Sequence, residues 1–154
     1  FQRSRNPSYS GCSVSERWHC YQNYADDYYK LVGDNKDWHI DKDIIVKGNK
    51  IYSYENCCAV PPELNMLLCR GNFLRGRYPI GVSWNKRQNK FRAYSWGGVG
   101  KQIHIGYYSD EVSAFNAYKY FKESYIKQQA NKWREQIDPR AYQALINYQV
   151  EITD

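Results

Sequence analysis

The sequence predicts an α+β chain in two parts, and three observations carry that prediction. Between Tyr78 and Tyr118, apolar and polar residues alternate at period two through three short stretches, then change to helical spacing. From Trp38 to Leu68 the order is strand, Gly-Asn turn, strand and short helix. Between these lies the Gly- and Arg-bearing stretch Cys69–Arg77, the best domain boundary in the chain. The expected domains are therefore 1–69 and 78–154, joined by a linker over 70–77.

In order, Phe1–Gly11 is polar and basic and reads as an extended lead-in. A helix is expected over about Ser15–Leu31, with Ser13 and Glu16 at capping-box spacing. Val14, Trp18, Tyr21, Ala25, Tyr28 and Leu31 form its apolar stripe. A strand begins near Trp38, Lys47–Lys50 turns the chain at Gly48-Asn49, and Ile51–Tyr54 returns as a second strand. Pro61 and Pro62 suit the start of a short helix ending near Leu68. Ser109 and Asp110 can cap a long helix over Glu111–Gln136, with Val112, Phe115, Tyr118, Phe121 and Tyr125 along one side. Asp138-Pro139 opens a last helix to about Tyr148, packing Tyr142, Leu145 and Ile146.

The three strands present two unlike faces. Val82, Trp84, Phe91, Ala93, Ile103 and Ile105 share the apolar one. Ser83, Arg92, Tyr94, Trp96, Gln102 and His104 share the other, with Lys86, Arg87, Lys90 and Lys101 at the turns. Charge agrees with this division. The net charge of +6 divides into −1 over residues 1–69 and +7 over 70–154, and Arg70–Gly106 holds 8 basic residues and no acidic one. Such a block favours a polyanion partner.

With 26 aromatic residues, 16 of them Tyr, disorder is not expected. No apolar run approaches the roughly 20 residues needed to span a bilayer, so no membrane partner is expected. There is no signal-peptide pattern, and the start at Phe1 leaves room for an upstream piece. The odd, irregularly spaced cysteines (Cys12, Cys20, Cys57, Cys58, Cys69) suggest reduced thiols in a cytosol rather than a disulfide framework. They show no zinc-ligand spacing, and no base pairs with any of them as a nucleophile.

Tyr78–Tyr118 resembles the Apetala/ethylene-response-factor type of DNA-binding domain. The likeness rests on Gly81-Val82, Lys90-Phe91-Arg92-Ala93, Ile105-Gly106-Tyr107-Tyr108 and the Ala- and aromatic-bearing helix Glu111–Tyr118. The resemblance implies a sheet lying in the major groove of double-stranded DNA. Its reading positions here are Ser83, Arg92, Tyr94, Trp96, Gln102 and His104, and the basic turn residues contact phosphates. The plant domains place several arginines there, so a different target or weaker base reading is implied.

Trp38–Asn65 resembles the HNH nucleases of bacteriophages, many of them homing endonucleases carrying this same module downstream. The matching residues are His39-Ile40-Asp41, Gly48-Asn49-Lys50 and Glu55-Asn56 followed by Cys57-Cys58-Ala59-Val60. Gly11-Cys12, Trp18, Asp41–Ser53, Val60–Asn65 and Tyr142–Asp154 extend the likeness over almost the whole chain. The resemblance implies a ββα-metal unit that hydrolyses phosphodiester bonds with Mg²⁺ or Mn²⁺ in the cytoplasm of an infected bacterial host, as a monomer by preference. His39 would be the base, Asn49 would hold the base or the backbone, and Asp41 and Asn56 would be metal ligands. Asp41 with Asp43 is an alternative metal pair. Trp38 stands where an acidic or His residue is usual, and no third His follows. The alternative is accordingly a non-catalytic, sequence-specific DNA-binding protein with a degenerate HNH-like half. A protein-interaction module is a third class, which the basic block disfavours.

Overall fold

The computed structural model describes residues 9–68, 76–97 and 101–154. Most of the expected lead-in, Cys69 and linker positions 70–75 lie outside the described residues. The fold is α+β, with a three-stranded antiparallel sheet packed on a long helix and a further helix near the C-terminus. Two compact units divide the chain: Phe1–Pro62 with Glu135–Ala144, and Glu63–Arg134 with Leu145–Asp154.

In the first unit, β1 (Ser13–Val14) is followed by a 3₁₀ turn at Glu16–His19 and helix α1 (Tyr21–Val32). The expected continuous helix from Ser15 is thus broken at Cys20, and Ser13 makes no capping box. Its backbone instead takes part in a strand, Ser13 N donating to Lys50 O at 2.9 Å. The expected apolar stripe also differs. Tyr21 is 80% exposed, whereas Trp18, Val32 and the carboxylate of Asp27 are buried. Asp27 accepts from Arg17 Nε (2.8 Å), Trp18 Nε1 (3.0 Å) and Lys30 Nζ (3.4 Å), so its buried charge is paired.

Those bonds, that of Arg17 foremost and then that of Trp18, hold the Asp27 carboxyl well below the usual carboxylate range. A carboxyl whose folded pKa is depressed contributes stability above its unfolded value of about 4, and that contribution fades as pH falls further. Urea titrations of the wild type and Asp27→Asn should reveal it. The wild type should lose midpoint on acidification below about pH 4, and Asp27→Asn should start lower and show a smaller acid-side loss. Parallel pH profiles would contradict this role.

Strand β2 (His39–Asp41) pairs antiparallel with β4 (Cys58–Val60), with His39 opposite Val60 and Asp41 opposite Cys58. Strand β3 (Ile51–Tyr52) is not the hairpin partner of β2; it pairs parallel with β1. The reason lies in the loop between them. Asn49 Nδ2 donates to both Lys42 O (2.7 Å) and Ile51 O (2.9 Å), closing an irregular turn that places Ile51 beside Ser13. Gly48, at φ +84, supplies the left-handed residue in this turn. Arg140 at the start of helix α4 (Pro139–Ile146) donates through Nη1 to Glu55 O at 2.8 Å.

Helix α2 (Pro62–Leu68) follows β4 directly, so three strands, β2, β3 and β4, precede the helix where two were expected. From Glu63 onward its residues group with the second unit. Glu63 Oε1 accepts from Lys132 Nζ at 2.7 Å and Trp133 Nε1 at 2.8 Å, at the end of α3 (Glu111–Lys132). Asp110 caps α3 as expected, accepting from Ser113 N at 2.8 Å. The buried side of α3 differs in part: Val112 is exposed, and Ala114, Ile126 and Ala130 join Phe115 and Tyr118. Strands β5 (Val82–Asn85), β6 (Lys90–Trp96) and β7 (Gln102–Tyr108) lie in that order. Val82 and Ala93 meet Ala114, Phe115 and Tyr118 in the core, closed by Val150. The C-terminal segment is tied to α3, Lys119 Nζ donating to Val150 O (2.6 Å) and Val150 N to Glu123 Oε1 (2.9 Å).

Candidate nucleic-acid interface

Alternation along β5–β7 leaves one sheet face to α3 and the other open. On the open face, Arg92 stands opposite Ser83 on β5 and Tyr107 on β7, Tyr94 opposite His104, and Trp96 opposite Gln102. All six residues expected to read DNA therefore share this face. Trp84 and Phe91, expected on the apolar face, pack edge to face there at 4.9 Å, with Tyr78 against Phe91 at 5.6 Å.

Arg92 is the hub of the open face. Its Nε donates to His104 Nδ1 at 3.3 Å and its Nη2 to Gln102 Oε1 at 2.6 Å, and its guanidinium lies 5.3 Å from the centre of the Tyr94 ring. Because Nδ1 accepts, the proton of neutral His104 sits on Nε2. The two neighbours occupy one side of the guanidinium fork. Nη1 and the outer Nη2 hydrogen have no partner among the described residues. That end-on pair is a planar double donor, the geometry that matches two adjacent acceptors on a guanine edge.

The basic residues stand around this hub. Lys86 and Arg87 are exposed in the β5–β6 turn, Lys90 opens β6, and Lys101 precedes β7. Asn85 Oδ1 accepts from Gln88 N at 3.0 Å and Asn89 takes φ 51, which fixes the turn. Tyr107, and Asn85 beside it, escaped the sequence reading. Tyr107 stacks obliquely on His104 with centroids 4.6 Å apart and accepts from Asn85 Nδ2 at 3.3 Å. Strict alternation from His104 puts Tyr107 inside. A bulge intervenes, because Ala93 faces Gly106 while Tyr94 faces His104, leaving Ile105 without a partner and shifting the phase by one residue.

In the first unit, His39 is exposed at the start of β2 and Asp41 lies two residues along the same strand, so the alternation puts both on one side. Asp41 Oδ1 accepts from Asp43 N (2.8 Å) and Ile44 N (2.9 Å). Burial, then the hydrogen bond to and charge of Asp43, pushes its carboxyl up to about 6. Asn49 holds the backbone, as its bonds to Lys42 and Ile51 require. The Asn56 N–H donates to Ser53 Oγ at 3.3 Å, and no hydrogen bond or ion pair links Asn56 to Asp41 among the described residues.

A divalent cation can be tested against these donors. Asp41 and Asp43 carry hard carboxylate oxygens, the donor type that suits such an ion, and burial before the charge of Asp43 raises Asp41. Lys42 Nζ lies 3.5 Å from Asp43 Oδ2, so one oxygen of the pair already faces a cation of the chain itself. No three His, Cys, Asp or Glu side chains converge among the described residues. The thiols offer little chemistry: Cys57 and Cys58 are buried, and burial pushes Cys57 up to about 11 and raises Cys58.

No protein-family model, curated protein or solved structure matches the chain. No helix of the described residues is long and apolar enough to cross a membrane.

Proposed function

We propose that this chain binds double-stranded DNA through the open face of β5–β7. The observation that carries this reading is Arg92, held by Gln102 and His104 with its outer donor pair unspent, among exposed aromatic rings and a rim of Lys and Arg. Arg92 reads a base edge; Lys86, Arg87, Lys90 and Lys101 neutralise phosphates; Ser83, Tyr94, Trp96 and Tyr107 fill the groove around it. The cytoplasm of an infected bacterium as the place of action rests on the resemblance of the sequence to phage nucleases alone.

A second reading adds cleavage, making the chain an HNH-type endonuclease. It is favoured by the antiparallel β2–β4 pair running into α2, with His39 and Asp41 on one side of β2. His39 would take a proton from the attacking water, and Asp41 with Asp43 would hold Mg²⁺ or Mn²⁺. When bound, the cation supplies stabilisation of charge on the phosphate and the leaving oxygen.

One experiment tests both. Fluorescence anisotropy with a labelled duplex should show binding that weakens steeply with salt, and salt-independent or absent binding would overturn the DNA reading. The same protein is then incubated with supercoiled plasmid and Mg²⁺, with and without EDTA, beside His39→Ala. Nicking that needs metal and is lost in the variant supports the enzyme; binding without cleavage across Mg²⁺ and Mn²⁺ leaves a DNA-binding protein alone.

A further inference from the structure

Hydrogen-bond polarity on the open face of the sheet runs one way. A guanidinium only donates, so any side-chain atom bonded to it must be an acceptor. Gln102 therefore turns its Oε1 to Arg92 Nη2 (2.6 Å), and His104 turns a bare Nδ1 to Arg92 Nε (3.3 Å). What remains of the Gln102 amide is the NH₂ group of Nε2, and what remains of the His104 ring is Nε2–H. Both are donors, and neither has a partner among the described residues. Another donor approaching Gln102 Oε1 would also meet the positive guanidinium beside it. Tyr107 follows the same rule: its hydroxyl accepts from Asn85 Nδ2 at 3.3 Å, which leaves its own hydrogen to donate. Asn85 Oδ1 is in turn engaged by Gln88 N at 3.0 Å.

Gln102, His104 and Tyr107 are all exposed, so these donors face outward together with the free end of Arg92. The bases of a duplex divide by the same criterion in the major groove. Guanine shows N7 and O6 there and thymine shows O4, all acceptors. Cytosine shows its N4 amino group, and adenine its N6 amino group beside N7. A face of donors is paired by a keto edge, whereas an amino edge sets donor against donor and leaves both without a bond. Spacing favours several bases over one. Gln102 and His104 are two residues apart on β7, roughly 6.7 Å, with Arg92 bonded to both. Two base steps along one strand cover about the same length, at roughly 3.4 Å each.

We propose that this face selects a run of keto bases on one DNA strand: a guanine under Arg92, flanked by guanine or thymine under Gln102 and His104. The proposal rests on the DNA-binding reading and names the class of site it selects. Arg92 sets the polarity of the whole patch, because it fixes which end of each neighbour looks outward. Gln102 and His104 are then specificity-determining residues in their own right, and not only supports for Arg92. The hydroxyls of Ser83 and Tyr94 rotate to donate or accept, so they tolerate either kind of base.

The test compares two labelled duplexes made of the same base pairs in the same order, by fluorescence anisotropy with the full chain. In one, guanines and thymines fill one strand throughout a central run. In the other, every second pair of the run is inverted, so keto and amino bases alternate along each strand. Length, charge and composition are thereby equal. The keto-run duplex should be bound about tenfold more tightly, the scale of one good base contact kept or lost. Gln102→Glu still accepts from Arg92 but presents no donor, so it should shrink that ratio severalfold. Using the ratio removes the general loss of affinity that an added negative charge brings, and circular dichroism checks that the variant folds. Equal affinity for the two duplexes overturns the keto-run proposal and leaves DNA binding intact. A preference that survives unchanged in Gln102→Glu also overturns it, since the shape of the duplex is then what is read. Failure to bind either duplex overturns the DNA-binding reading, and the keto-run proposal with it.

Discussion

Gly81→Ala is expected to destabilise the unit Glu63–Arg134 with Leu145–Asp154 by roughly 3 kcal/mol, combining backbone strain with overpacking. Gly81 has φ +76, and a Cβ there would fall against Cγ, Cδ2 and Cε2 of Tyr118. Neither side can yield easily. Tyr118 is 4% exposed and is packed with Phe115, Val82 and Ala93, while Gly81 O is fixed by the N–H of Tyr94. Gly48→Ala separates the two causes: its φ is +84 but nothing lies within 4 Å of the added carbon. It should cost only the strain of a left-handed alanine, roughly 1 kcal/mol. Urea unfolding followed by circular dichroism measures both. Similar small losses would mean that Tyr118 does not need the bare backbone at Gly81.

Arg92→Ala should weaken duplex binding roughly tenfold or more and flatten the preference among sequences, since one bidentate guanine contact carries about 1–3 kcal/mol of discrimination. Selection from a randomised duplex pool reads that preference directly. Lys86→Ala should behave differently, lowering affinity for all sequences alike and reducing the salt slope by about one. The contrast follows from geometry: Arg92 is locked by two hydrogen bonds and an adjacent ring, whereas Lys86 is exposed at a turn. If both variants lose affinity equally and the selected pool is unchanged, Arg92 is a phosphate contact like its neighbours.

The second unit was the more legible because its signals are long and local. Seven-residue strands β6 and β7 show their alternation plainly, and Ser109-Asp110 marks the start of α3, where Asp110 is the cap. The six expected face residues followed from that alternation alone. Tyr107 did not, because one unpaired residue upstream inverts the count. The first unit hides its organisation in elements of two or three residues, too short for any period to show. Gly48-Asn49 signals a turn correctly, yet nothing in its neighbourhood tells that Asn49 will clasp Lys42 and Ile51 and send β3 to β1 instead of β2. The buried Asp27 is invisible for another reason: its partner Arg17 lies ten positions away, outside helical spacing.

The unpaired Ile105 also says how β7 can change. Side chains on its two halves obey separate parities, with Gln102 and His104 outward before the bulge and Tyr107 outward after it. Deleting that one residue would leave a regular ladder with Tyr107 still outward and Tyr108 still inward, whereas forcing it into the ladder would exchange the surroundings of everything beyond it, sending Tyr107 toward the helix and Tyr108 toward the solvent. Substitutions at Gln102 or His104 can therefore alter what the face recognises with little disturbance to the core, while straightening the bulge would scramble both at once.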